Sequence, residues 1–398
     1  MSRAVISLNS GSSSIKFALF TLDPNGPSRV AGGKLEGIGI DPHLVAHDGA
    51  GTLIAERRWK GGVALTHENL LDDLYRWADA HLPHHEVVAA GHRVVHGGSR
   101  YSTPVRVDLP VLEDLEALCP LAPLHQPHNL AAIHAIAKLA PQLPQIACFD
   151  TAFHHSMPQV ATQFALPRAL TGKGIRRYGF HGLSYEYIAR RLAEIDPTLA
   201  TGRVIVAHLG NGASMCAMRD GRSIDTSMGF TALEGLMMGT RSGSLDPGVL
   251  LYLMRQEGMS PTDIETLLYK QSGLLGVSGV SSDMRMLHAS ADPRAAEAID
   301  LFIWRAAREA AALMAALGGL DGIVFTAGIG ENDPLIRSGI CERLRWTGIM
   351  LDEEANSRNA SVINSPCSNV SVRIVPTDEE RMIAIHTAQL VEGASVPS

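Results

Sequence analysis

Short apolar runs, each closed by small polar residues, recur along the chain and set its framework. Val5-Ile6-Ser7-Leu8 reads as a buried strand, with Asn9-Ser10-Gly11-Ser12-Ser13-Ser14 as the turn that follows. Beyond it Ile15, Phe17 and Leu19 alternate with Lys16 and Ala18, the two-residue period of a second strand. Leu70, Leu71, Leu74 and Trp77 fall on one face and predict a helix over 63–82. Val87-Val88-Ala89-Ala90-Gly91 reads as another buried strand, after which come His92-Arg93-Val94-Val95-His96-Gly97-Gly98. Ile146-Ala147-Cys148-Phe149-Asp150 is a third, ending on an aspartate.

A second start appears at Arg203. Val204-Ile205-Val206-Ala207 is again a strand, followed by His208-Leu209-Gly210-Asn211-Gly212-Ala213-Ser214 and a further apolar stretch. Shifting the first hairpin by 199 residues places Val5 on Val204, Ile6 on Ile205 and Gly11 on Gly210. That offset is half of the 398-residue length, which suggests two related halves, each opening with strand, polar glycine turn, strand. Later, Ala298, Phe302, Ala306, Ala310 and Leu313 recur at helical spacing within 293–317. Ile323-Val324-Phe325-Thr326-Ala327 is a buried strand breaking into the glycine loop Gly328-Ile329-Gly330-Glu331-Asn332. Val372-Arg373-Ile374-Val375-Pro376 and then Thr377-Asp378-Glu379-Glu380 precede a final helix. Strands alternating with helices, with glycine loops at strand ends, predict α/β layers. Ligands of such sheets lie beyond the strand ends.

Composition removes whole classes of function. Thirty-four Lys and Arg against 41 Asp and Glu leave a net charge of −7 with no long single-sign run, so the broad basic footprint of a nucleic-acid binder is missing. A 45% hydrophobic and 19% charged chain is not a disordered one. Cys119, Cys148, Cys216, Cys341 and Cys367 are odd in number and widely spaced, which fits neither a disulfide framework nor a zinc ribbon. The opening apolar run is too short for a signal peptide, and the longest uncharged apolar stretch, 310–320, falls well below the roughly 20 residues of a membrane span. The expectation is a reduced cytoplasmic protein with no membrane or nucleic-acid partner.

Three glycine loops, 9–16, 208–214 and 328–332, could turn backbone N–H groups onto phosphate oxygens. The Gly-x-x-x-x-Gly-Lys-Ser/Thr loop and the Gly-x-Gly-x-x-Gly fingerprint are both absent, which leaves a nucleotide site built from hairpin turns in two halves, with Lys16 reaching a phosphate from its strand. Arg93, following a strand, and Arg241, in Met238-Gly239-Thr240-Arg241-Ser242-Gly243, are the cations whose forks could meet an anionic substrate. His181, in Arg177-Tyr178-Gly179-Phe180-His181-Gly182, could donate to a phosphoryl oxygen. The pairs His92 with His96, His125 with His128 and His154 with His155 have no accompanying cysteine or carboxylate cluster, so a zinc site is set aside.

Read together, these segments closely resemble the acetate kinase family, within the superfamily of acetate and sugar kinases, heat-shock chaperones and actin. The matching stretches run in family order from residue 5 to about 385: 9–17, 91–98, Phe149-Asp150-Thr151-Ala152-Phe153-His154, 177–182, His208-Leu209-Gly210-Asn211-Gly212, 238–243, 328–332 and 376–380. The resemblance implies an α/β protein of two actin-like (ribonuclease H-like) domains, each a mixed sheet flanked by helices, with the nucleotide in the interdomain cleft of a homodimer's subunit. Residues 1–150 with the C-terminal helix 380–398 would form one domain, and 151–379 the other, carrying most of the ATP site. By resemblance Asn9 and Glu379 would hold Mg²⁺, or Mn²⁺ in its place, and Lys16, Ser12 and Ser14 would contact the nucleotide phosphates. His208, Leu209, Gly210, Asn211 and Gly212, with Asp283, Met284, Arg285 and Gly328, Ile329, Gly330, Glu331 and Asn332, would line the ATP site. Arg93 would bind the acetate carboxylate beside an apolar pocket of Val95, Leu124, Phe180 and Ala232. Asp150, His181 and Arg241 would be catalytic.

A short-chain acid is already ionised at neutral pH, so Asp150 is expected to orient an arginine or metal-bound water rather than to act as a base. The sequence departs from the family at Gln126, where Asn is usual, at Ala327, where Gly is common, at Ser244, often Asp, and at Ala232, typically Pro. The last widens the expected acyl pocket and favours propionate. Besides reversible ATP:acetate phosphotransfer, the alternatives are a propionate- or butyrate-preferring carboxylate kinase, a pyrophosphate-dependent enzyme, which the 328–332 loop disfavours, and an actin- or chaperone-type ATPase switch.

Overall fold

Alternating apolar positions and short hairpin turns assemble the first part of the chain into one mixed sheet. Its strands are β1 (Ser2–Ser10), β2 (Ser14–Asp23), β3 (Gly26–Glu36), β4 (His43–Asp48), β5 (Leu53–Arg58), β6 (His85–Val94), β7 (Val105–Arg106) and β8 (Gln145–Phe149), ordered β5-β4-β3-β2-β1-β6-β8-β7. The computed structural model describes every residue except 12–13, 39, 60–64, 66–67, 75–83, 124 and 394–398. Two compact units emerge, Met1–Ala152 with Asp378–Ser398, and Phe153–Thr377. The second holds β9 (Arg203–Leu209), β10 (Ala213–Arg219), β11 (Arg222–Thr226), β12 (Gly322–Thr326) and β13 (Ser371–Ile374), ordered β11-β10-β9-β12-β13.

The helices that matter below are α1 (Gln126–Leu139), α2 (Gly182–Ile195), α3 (Pro247–Arg255), α4 (Met284–His288), α5 (Pro293–Leu317), α6 (Ala327–Asn332), α7 (Pro334–Arg343) and α8 (Glu379–Gly393).

The repeat read from the 199-residue offset is present in the topology. β3-β2-β1-β6-β8 and β11-β10-β9-β12-β13 correspond strand for strand. In each, two antiparallel pairings come first and two parallel pairings follow. Both faces of the first sheet are covered. Leu8, Ile15, Phe17 and Leu35 pack with Leu70, Leu71 and Leu74 on one side, and Val5, Ala18, Phe20 and Ala89 with Ala384 of α8 on the other. Each of the Val, Leu, Ile and Phe side chains so removed from water contributes roughly 1.5–3 kcal/mol. α5 buries Ala298, Phe302, Ala306, Ala310 and Leu313, the face expected from their spacing, starts on an Asp292 cap and stops at Gly318 (φ +71°). No described helix is long and apolar enough to cross a membrane.

Three expectations need adjustment. The helix expected over 63–82 is present over 68–74, with Leu70, Leu71 and Leu74 buried, while Trp77 lies outside the described residues. Arg93 does not follow its strand but sits within β6, which extends to Val94. Residues 328–332 are not an open glycine loop: they belong to α6, because the Glu331 carboxylate reaches back to accept from the Ala327 amide (2.7 Å) and Asn332 Nδ2 donates to the Gly328 carbonyl (3.0 Å).

Ala327 has φ +66°, a left-handed conformation that costs a non-glycine residue about 1–2 kcal/mol. Ala327→Gly should relieve that strain, less the roughly 0.4–1 kcal/mol of extra freedom glycine gives the unfolded chain. The expected result is a urea midpoint equal to or above the parent's; a clear fall would mean that the alanine methyl packs more favourably than the backbone is strained.

Candidate active site

In the first unit the ends of β1, β6 and β8 and the start of α8 bring four polar side chains into one chain of contacts. Arg93 Nε donates to both Asp150 oxygens (3.1 and 3.0 Å), Arg93 Nη2 to Asp150 Oδ2 (2.5 Å) and Arg93 Nη1 to Asn9 Oδ1 (3.1 Å). Asn9 Nδ2 in turn donates to Glu379 Oε2 at 3.2 Å. The Asp150 side chain is 1% exposed and that of Arg93 17%. Burial opposes the arginine charge, but Asp150 and Glu379 overcome it and hold Arg93 above its ordinary range. Glu380 is half-buried, and the loss of water around its carboxyl raises its pKa; Lys16 pulls the other way and Glu379 adds to the rise. Its Oε1 has no hydrogen-bond partner.

Two buried amides hold this arrangement, and the sequence reading did not single them out as site residues. β6 ends at Val94, so the next backbone groups need other partners. Asn129 Oδ1 accepts from the Val95 amide (2.9 Å), while Gln126 accepts from the His96 amide (3.1 Å) and donates to the His96 carbonyl (3.0 Å). Asn129 Nδ2 also donates to the Ser10 carbonyl, tying the end of β1 to that of β6. Gln126 and Asn129 lie three apart in the first turn of α1, and that spacing between two amides was the signal available. Lys16 is exposed on β2, directly opposite Asn9 in register, and lines an open groove of about 590 Å³ together with Glu380. Ser14 begins β2, and its carbonyl accepts from the Gly11 amide at 2.8 Å. Val95 is buried; Ser12 and Leu124 lie outside the described residues.

The second unit gathers most of the expected nucleotide residues around a cavity of about 670 Å³. Gly210, Asn211, Asp283, Met284, Arg285, Gly328, Ile329 and Asn332 line it, joined by Ser282 and Asp333, which sequence reasoning missed. Asp333 caps α7 through the Leu335 and Ile336 amides and pairs with His288 at 2.9 Å. Asp283 caps α4 and holds the Arg285 guanidinium (2.6 Å), whose hydrogen bond draws the Asp283 pKa down to about 2. Gly239 also has a reason to be glycine: a Cβ there would stand 2.0 Å from Asn211 Oδ1.

The remaining expected residues sit apart from the cavity walls. Leu209 is fully buried in β9. The Glu331 carboxylate faces inward and accepts from the Ala327 and Thr377 amides (2.7 and 3.1 Å). The Gly330 carbonyl is gripped by Arg337 Nη1 (3.0 Å), a fully buried guanidinium that also donates to Asn356 and Asn359. Phe180 is buried, and its carbonyl partners His154 Nε2 at 3.0 Å; burial pushes the His154 pKa down to about 4.

His181 and Arg241 converge on the glycine turn between β9 and β10. A Cβ built on Gly212 would lie 3.4 Å from His181 Nε2 and 3.9 Å from Arg241 Nη2. His181 caps α2 in the left-handed region (φ +59°), a strained placement of the kind that persists when surrounding contacts fix it. Its ring stacks on His208 (centroids 4.2 Å apart), and His208 Nδ1 meets Ser184 Oγ at 2.9 Å. Arg241 Nη1 donates to the carbonyl of Ala232 (2.9 Å), so the backbone at the family's usual proline position anchors this arginine. The first unit offers a guanidinium fork held by a buried carboxylate. The second offers a cavity with Gly210 and Gly328 in its wall, and a cation and an imidazole that meet at Gly212 of the same glycine turn. That is equipment for binding anions and stabilising charge on phosphoryl oxygens.

Two mixed sheets that share a five-strand order, each flanked by helices, place the chain in the class of two-domain, actin-like α/β proteins. The sequence profile of the Acetokinase family matches residues 4–385, and the chain belongs to that family. An acetate kinase of Rhodopseudomonas palustris is 53% identical over 398 residues, covering 99% of this chain and 100% of that protein. Among solved structures, a propionate kinase from Francisella tularensis is 41% identical with a TM-score of 0.89, covering 97% of this chain and 99% of that one. Porphyromonas gingivalis acetate kinase is 38% identical with a TM-score of 0.86, covering 98% and 100%.

Proposed function

We propose that this chain is a reversible ATP:acetate phosphotransferase that forms acetyl phosphate and ADP by direct in-line transfer. The observation that carries the reading is the Arg93 fork. Three of its N–H groups are committed to Asp150 and Asn9, which fixes the guanidinium plane and leaves its outer edge to face a carboxylate. Asp150 is occupied by that arginine, which supports an orienting role over that of a base. An ionised acid has no proton to lose before its oxygen attacks.

The 670 Å³ cavity of the second unit is the proposed seat of the nucleotide. For Lys16 and Ser14 of the first unit the family resemblance is what supports a role as phosphate contacts. His181 and Arg241 are proposed to stabilise the charge that spreads over the transferring phosphoryl oxygens. Glu379 beside Asn9, and the buried, unpartnered Oε1 of half-buried Glu380, fit a hard cation that keeps most of its ligands as water and phosphate oxygens. Among the described residues no three His, Cys, Asp or Glu side chains form a metal cage, in keeping with an ion that arrives with the nucleotide. Asn9 and Glu379 would hold Mg²⁺, or Mn²⁺ in its place, which would neutralise phosphate charge.

Two further parts of the reading concern assembly and place. α3 buries none of its residues, and Val249, Leu251, Tyr252 and Met254 are all exposed on it, which supports a homodimer formed through this helix. A cytoplasmic enzyme acting on soluble metabolites is proposed.

A propionate-preferring variant of the same chemistry has one observation in its favour, Ala232, in a loop of the family's acyl pocket. Ala232→Pro is expected to lower the propionate-to-acetate ratio of kcat/KM about tenfold, within the roughly 1–3 kcal/mol that one methylene is worth. An unchanged ratio would detach position 232 from chain-length selection. The proposed function itself is tested by the reverse reaction: ADP with acetyl phosphate should yield ATP. An actin- or chaperone-type ATPase would yield none.

A further inference from the structure

Ser214, near the start of β10, is buried and its hydroxyl joins two other side chains. His181 Nδ1 lies 2.8 Å from Ser214 Oγ, and the Tyr185 hydroxyl 2.5 Å from the same atom. Tyr185 stands one turn into α2, which His181 caps. The imidazole is therefore held with Nδ1 toward the protein and Nε2 toward Gly212 and Arg241.

The direction of the protons in this chain follows from acidity. A phenol, with a pKa of about 10, is a much stronger donor than a serine hydroxyl, so Tyr185 donates to Ser214 Oγ. Ser214 Oγ is buried and keeps one proton of its own to place; His181 Nδ1, 2.8 Å away, is the acceptor that satisfies it, which makes Nδ1 the bare nitrogen. We propose that Tyr185 and Ser214 are positioning residues that fix neutral His181 as its Nε2–H tautomer, aimed as a hydrogen-bond donor at the transferring phosphoryl group. This rests on the phosphotransfer reading above. In the other tautomer an Nε2 lone pair would face phosphoryl oxygens and repel them.

The relay matters only while the ring is neutral, since an imidazolium carries a proton on both nitrogens. It should therefore be dispensable at a pH low enough to protonate the ring and essential where the ring is neutral. The titratable and charged groups around the ring are His208 across the stack, Arg241 on the Nε2 side, Tyr185 behind Ser214, and His154 against the Tyr185 ring at 5.6 Å.

The test combines spectroscopy and kinetics on the whole chain. ¹⁵N-histidine-labelled protein, with His181→Gln assigning the resonance, should show the proton on Nε2 across neutral and alkaline pH. Ser214→Ala should give a mixture of tautomers. Its kcat should drop about tenfold relative to the parent as pH rises from about 7 to 9, while both KM values stay near the parent's. Tyr185→Phe keeps the ring volume and should show a smaller shift in the same direction; with the parent spectrum it decides the matter if Ser214→Ala fails to fold. An Nδ1–H tautomer in the parent, or a Ser214→Ala pH profile parallel to the parent's, would overturn the proposal. Full activity in His181→Gln would instead remove His181 from the phosphotransfer reading, whatever tautomer the spectrum shows.

Discussion

Arg241→Ala is expected to lower kcat by about 10³-fold or more, equivalent to about 4 kcal/mol, while nucleotide affinity changes only severalfold. The size follows from where the guanidinium sits. Its Nη1 is anchored on the Ala232 carbonyl, and its Nη2 points to the glycine turn beside His181. A cation so placed adds little to the ground-state complex and much to a phosphoryl group whose oxygens carry spread charge. The cavity that would hold the nucleotide is lined by other residues, so binding survives. Acid-dependent turnover within a few-fold of the parent would show that Arg241 does not face the reacting group. A large rise in nucleotide Kd would make it a binding residue instead.

The second large effect belongs to Arg93. Arg93→Lys keeps the charge but loses the planar fork, and kcat/KM for acetate should fall about 10²–10³-fold, mainly through a higher KM for the acid. The KM for ATP should stay within a few-fold. Arg93→Ala should cost more than activity: it takes the guanidinium away from the Asp150 carboxylate, 1% exposed, and breaking such a buried pair destabilises by roughly 3–5 kcal/mol. Arg93→Ala with Asp150→Ala together should therefore be more stable than Arg93→Ala alone. A double mutant that loses the sum of both single effects would mean the pair is not coupled and that Asp150 acts elsewhere. Equal rises in both KM values for Arg93→Lys would point to a general loss of structure.

Much of the fold was legible because it is written in local pattern. The hairpin offset of 199 residues exposed the repeat, since strand-turn-strand units keep their apolar period wherever they stand. The helix at 293–317 was equally plain from one apolar stripe. Residues 328–332 misled, because glycines suggest a loop while a distant-looking Glu331 side chain closes the turn into α6. The length of β6 was underestimated because Arg93 breaks the apolar run, yet its charge is satisfied by Asp150 within the sheet's end.

The candidate site was legible as motifs but not as a network. Asn211, Asp283 and Gly328 could be assigned to one place, and they do line one cavity. Hydroxyls acting behind them left no periodic trace, and the amides left only the three-residue spacing of Gln126 and Asn129. Ser214 meets His181 across 33 residues and Asn129 meets Ser10 across 119, so only the folded chain joins them. Arg337 was hidden for the same reason: a fully buried arginine held by carbonyls and amides looks, in sequence, like any surface cation on a helix.

The central claim is that a carboxylate receives the phosphoryl group. The most direct test incubates the protein with Mg-ATP and acetate, propionate or butyrate in turn, measures ADP, and traps any acyl phosphate with hydroxylamine. Hydroxamate is expected in step with ADP for acetate and propionate, and neither product without an acid. ADP released at the same rate with every acid and with none, and no hydroxamate, would contradict it and leave an ATPase in its place.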